Sequence, residues 1–134
     1  MRSIHLLAGF AWLTFGSALA HEAAGPNGGQ LRDAGPYHVE LVLPAKGKGM
    51  HDAKVAAYVF DSADRALPSA GLKAKLVLLS GKEKSTTELV PDGDNRLRGS
   101  VRLDPAQPAK AIVTLTLPEG RTVQARFEFP APGE

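Results

Sequence analysis

At 134 residues and 14.1 kDa the chain has room for one domain. Lys plus Arg total 16 against 14 for Asp plus Glu, and a formal charge of +2 is too even for the dense basic stripe of a nucleic-acid binder. Aromatic residues make up 6% and cysteine is absent, which leaves few stacking platforms and excludes disulfides, thiolate metal sites and cysteine nucleophiles.

Met1-Arg2-Ser3 supplies an early positive charge, residues 4–15 are almost wholly apolar, and Ala18-Leu19-Ala20 ends the segment with small residues. Charge, short apolar run and A-x-A site together predict a signal peptide over 1–20, cleaved after Ala20. The apolar run is short for a spanning helix, which needs about 20 residues. No later segment is apolar enough to span, so the mature domain, 21–134, is expected in a bacterial periplasm without a membrane span.

Beyond residue 20 no helical stripe is sustained. Hydrophobicity instead alternates with period two between turn residues, the pattern of half-buried strands. Residues 37–43 set Val39, Leu41 and Leu43 against His38 and Glu40. Residues 54–61 are more uniformly apolar, which predicts a central strand covered on both faces. Further strands are expected over 72–80, 84–91, 96–103, 110–117 and 122–129, with an eighth if 30–33 pairs. The longer connections, 44–53 and 62–71, are the places for a site. With 14 Gly and 10 Pro at its turns, the chain reads as all-β: an antiparallel β-sandwich of seven to eight strands, immunoglobulin-like in outline, with its core in 30–129. A small closed barrel is the alternative. Val39, Leu41, Val55, Val59, Leu76, Val101, Leu115 and Phe127 are the expected core.

Chemistry-bearing residues are few. Cleavage after Ala20 would make His21 the N-terminal residue, whose α-amine and imidazole can chelate one Cu(II). Histidine is also the commonest metal ligand among side chains. His38 and Glu40 share a strand face with Cβ atoms about 7 Å apart, within reach of one ion. Met50-His51 is expected in a glycine-rich loop, where thioether and imidazole can hold copper and an imidazole with Asp52 can hold zinc. The metal-site candidates are thus His21, His38, His51 and Glu40, for Cu(II) or Zn(II). Asp92-Gly93-Asp94-Asn95 lacks the length and terminal Glu of a calcium loop and reads as a hairpin turn. Gly25-Pro26-Asn27-Gly28-Gly29 is followed by no Lys-Ser/Thr and no helix, so it is not a phosphate loop. No nucleophile elbow or zinc-protease motif occurs, and the chain is not expected to be an enzyme.

The opening His21-Glu22-Ala23-Ala24-Gly25-Pro26-Asn27-Gly28-Gly29-Gln30-Leu31, with Tyr37-His38-Val39-Glu40-Leu41-Val42 and Asp92-Gly93-Asp94-Asn95-Arg96-Leu97-Arg98-Gly99, resembles the small β domain near the N-terminus of some heavy-metal efflux adaptor subunits, and related stand-alone exported proteins. The adaptors' hairpin, lipoyl and barrel portions have no counterpart in these 134 residues. What the resemblance implies is a β fold in a metal-efflux context, with His21 and His38 at the histidine-bearing positions. A weaker resemblance to periplasmic copper-resistance carriers reaches only His21. The implied function is a periplasmic metal-binding accessory protein that buffers or delivers copper or zinc to an efflux pump or its adaptor subunit. The alternative is a non-enzymatic interaction module that docks a partner along a sheet edge.

Overall fold

Each run of alternating hydrophobicity forms a strand, because a pleated chain sends successive side chains to opposite faces and can bury one of them. The computed structural model describes residues 23–132, which form nine strands and no helix. They are β1 (Ala23–Ala24), β2 (Gln30–Ala34), β3 (Tyr37–Val42), β4 (His51–Phe60), β5 (Lys73–Ser80), β6 (Glu83–Pro91), β7 (Arg96–Leu103), β8 (Ala109–Thr116) and β9 (Thr122–Phe129). All pairings are antiparallel, in the order β1-β2-β3-β4-β7-β6-β5-β8-β9. No helix among the described residues is long and apolar enough to cross a membrane. The expected signal segment, 1–20, and His21 lie outside the described residues.

The all-β, antiparallel expectation holds. The strands run as one nine-stranded sheet that curls into an open half-barrel. Its corner is the passage from β6 to β7. β6 pairs with β5 from Glu83 to Leu89 but with β7 only at Val90↔Arg98 and Pro91↔Leu97. Beyond that point hydroxyls replace the ladder: Ser85 Oγ accepts the Arg102 N–H at 3.1 Å and Ser80 Oγ accepts the Asp104 N–H at 3.0 Å. Gly99 faces the corner, where a Cβ would lie 2.7 Å from Leu89 Cδ2 and 3.1 Å from the Glu88 carbonyl. Only a residue without a side chain lets the two strands cross there.

Inside the curl the inward rows of β3, β4 and β7 meet those of β5, β8 and β9 in one apolar cluster. The eight expected core residues all lie in it, none more than 3% exposed. At the far side of the curl β9 returns to β2. The Gln30 side-chain amide donates to the Glu128 carbonyl at 2.8 Å, and Gly35 sits against Val123. These two contacts share one antiparallel register, so the outermost long strands face each other edge to edge.

Three local expectations need correction. The pair Ala23–Ala24 forms an unexpected strand on the outer edge of β2. His51 is not in a loop: β4 begins there, paired with Leu103, because the inward series Val55, Ala57, Val59 extends back through Ala53. The outer face of β4 is only partly covered, with Lys54 exposed, Ala56 and Tyr58 half-buried and Phe60 buried.

Candidate functional site

The outer face of the β2–β3–β4 segment carries the candidate chemistry. In this register Asp33, His38 and Phe60 form one cross-strand row, and Leu31, Glu40 and Tyr58 the next. Directly opposed residues on one face touch, and Asp33 Oδ1 is 3.0 Å from His38 Nε2. The loop after β4 folds back over the same row. Asp61 Oδ1 accepts the N–H groups of Ala63 and Arg65, both at 2.9 Å, closing a tight turn. The Arg65 N–H, and then that of Ala63, hold the Asp61 carboxyl below the usual carboxylate range, against the opposing effect of partial burial. At the tip Asp64 has φ +63°, the one positive φ outside glycine among the described residues. Its Oδ1 comes within 3.3 Å of His38 Nδ1, but the two are not aligned for a hydrogen bond, and Nδ1 is buried without one.

His38 therefore stands between two carboxylates, one on each side of the ring. Such a setting favours a metal cation over a neutral or anionic ligand. The two carboxylates sit on different ring nitrogens, so with His38 they bridge rather than chelate. Among the described residues no group of three His, Asp or Glu side chains is placed to hold a metal ion.

The four metal candidates fare differently. His21 lies outside the described residues. His38 is in the row just described. His51 pairs with Leu103 at the opposite end of β4 from Phe60, roughly 30 Å along the strand from His38 at about 3.3 Å per residue. Its ring Nδ1 contacts the Gly49 carbonyl at 2.8 Å, so a shared ion with His38 is not what these strands provide. Glu40 shares the outer face with His38 but is 0% exposed. Its Oε2 accepts the N–H groups of Asn27 and Gly29, both at 2.8 Å, and Oε1 accepts the Asn27 side-chain amide at 2.9 Å. Three donors occupy most of the carboxylate's accepting capacity.

Glu40 thus clamps the Gly25-Pro26-Asn27-Gly28-Gly29 turn, which also closes on itself through Gly25 N–H to the Gly29 carbonyl at 2.8 Å. The turn lies so close that a Cβ at Gly25 would overlap the Glu40 carboxyl, and one at Gly29 would overlap the Leu41 carbonyl. The turn that the sequence excluded as a phosphate loop is a lid on a buried acid. Period-two counting places Glu40 outward but cannot show what covers that face. Asp33 was within reach of sequence reasoning, because the two-residue link Gly35-Pro36 puts it opposite His38. Asp64 was not, because only the folded loop brings it there.

No protein-family model matches the chain, and no curated protein matches it.

Proposed function

We propose that the protein is an exported, non-enzymatic metal-binding accessory protein that takes one Cu(II), or Zn(II), through His21 and His38 and buffers or delivers it in heavy-metal efflux. The observation that supports this reading is the pairing of His38 with Asp33 on β2, the strand next to β1, with Asp33 Oδ1 3.0 Å from His38 Nε2. Ala23 lies opposite Leu31 and Ala24 opposite Gln30. Asp33 lies two positions beyond Leu31 on β2 and is itself opposite His38. An α-amine and imidazole from His21, the His38 imidazole and the Asp33 carboxylate then form a nitrogen-rich set, suited to tetragonal Cu(II). Glu40 acts from outside the set, by fixing the turn from which β1 departs. His51 takes no part. The resemblance to efflux-adaptor domains at His21 and His38 agrees with this reading, and an efflux pump or its adaptor subunit is the corresponding partner. The same reading takes the curled sheet as a sandwich of immunoglobulin-like outline, supported by the core shared between its two halves.

The test is Cu(II) titration of protein beginning at His21, beside a form with one extra residue before His21, and beside Asp33→Asn, His38→Ala and His51→Ala. The added residue and His38→Ala should each weaken binding by at least about tenfold, Asp33→Asn by less, and His51→Ala not at all. Affinity should also fall as pH drops below about 6, where protons compete for imidazole nitrogens. Equal affinity in the His21, extended and His38→Ala forms would refute the proposal.

A further inference from the structure

The outer face of β6, β5, β8 and β9 lies away from the metal-site row and has a different character. In register, Lys84, Leu79, Lys110 and Glu128 form one cross-strand row, and Thr86, Val77, Ile112 and Arg126 the next. Leu79 is 42% exposed, one of two large apolar side chains so exposed among the described residues. Val77 and Ile112 flank it half-buried. Together they floor a groove of about 330 Å³, with Lys84, Lys110 and Arg126 on its margins and Glu128 at the β9 side. The rows continue with Lys75 opposite Glu88 and Lys73 opposite Thr116, so the face carries five cations and two carboxylates, whereas the whole chain is nearly balanced.

We infer that the groove floored by Val77, Leu79 and Ile112 docks an acidic segment of a partner protein, one apolar side chain seated on the floor and carboxylates paired with Lys84, Lys110 and Arg126. Charge complementarity selects the occupant. An apolar floor gains from burial of an apolar group, but cations on several sides favour an anchor flanked by negative charge and reject a basic or wholly apolar one. Concavity selects a peptide over a lipid surface: a membrane is met by protruding apolar side chains, and here the apolar groups form the floor of a depression. The inference does not depend on the metal reading, and none of these residues belongs to that site.

The probe is a synthetic peptide with one leucine flanked by aspartates and glutamates, titrated into the purified protein by fluorescence anisotropy. Binding should saturate, weaken as salt is raised, and move the backbone amide resonances of Val77, Leu79 and Ile112. Leu79→Asp and the double change Lys84→Glu/Lys110→Glu should each weaken it by at least about tenfold, while Val90→Asp, at the other exposed apolar side chain, should leave it unchanged. Equal binding of a peptide with lysines in place of the acids would overturn the inference. So would resonance changes confined to other residues, or binding to phosphatidylglycerol vesicles without binding to the peptide. Because the wild-type resonance map alone can refute the inference, it stays testable even if a variant misfolds.

Discussion

Glu40 illustrates how one buried charge organises a neighbourhood. Its three donors come from a five-residue turn containing three glycines, and two of those glycines leave room that a methyl group would fill. Glu40→Gln keeps the shape but sets an NH2 group against N–H donors, and should lower stability by about 1–3 kcal/mol in urea unfolding. Gly25→Ala should disturb the same contact from the opposite side and lower the thermal midpoint. Both changes should also weaken Cu(II) binding under the proposed function, although neither residue is a ligand. Asp61 makes a pH-dependent claim. Its folded carboxyl titrates below the ordinary value of 3.8, so its hold on the turn is complete above that value. The hold is lost as pH falls through the lowered folded value. The protection of the Ala63 and Arg65 amides, relative to intrinsic exchange at the same pH, should therefore fall on acidification through this range, while Val59 in β4 stays protected.

At the scale of elements, β5 and the β6–β7 corner carry the fold. Leu76 is 0% exposed in β5, between β6 and β8, so Leu76→Ala should reduce unfolding free energy by about 2–5 kcal/mol. Gly99→Val would press a branched side chain into Leu89 and the Glu88 carbonyl, and calorimetry should show a loss at least as large as that from a typical overpacked core, about 1–3 kcal/mol. The strands were legible in the sequence because alternation and turn chemistry act within a few residues. Val39 and Leu41, or Val101 and Leu103, declare their faces without help from distant chain. The curl was not legible: it depends on Gly99 meeting Leu89 and on serine hydroxyls replacing ladder bonds, contacts across 10 to 24 positions. The site divides the same way. Asp33 opposite His38 follows from a hairpin, whereas Asp64 above His38 and the lid on Glu40 follow from loops that fold back.

At the scale of the molecule, a nine-stranded sheet has two ends, and each end offers unpaired N–H and C=O groups. Here the curl turns β2 and β9 toward each other, with the Gln30 amide capping the Glu128 carbonyl and Gly35 resting on Val123. The consequence is protection against polymerisation. A strand from a second copy would have to displace the molecule's own opposite edge before it could add to the sheet, so the template for fibril growth is guarded from within. A chain without cysteine has no crosslink to keep that guard in place, and a few polar and steric contacts must do so. Replacing Gln30 with Ala and Gly35 with Lys should loosen the approach of β2 to β9, and thioflavin fluorescence on prolonged incubation should then rise earlier than in the unaltered protein.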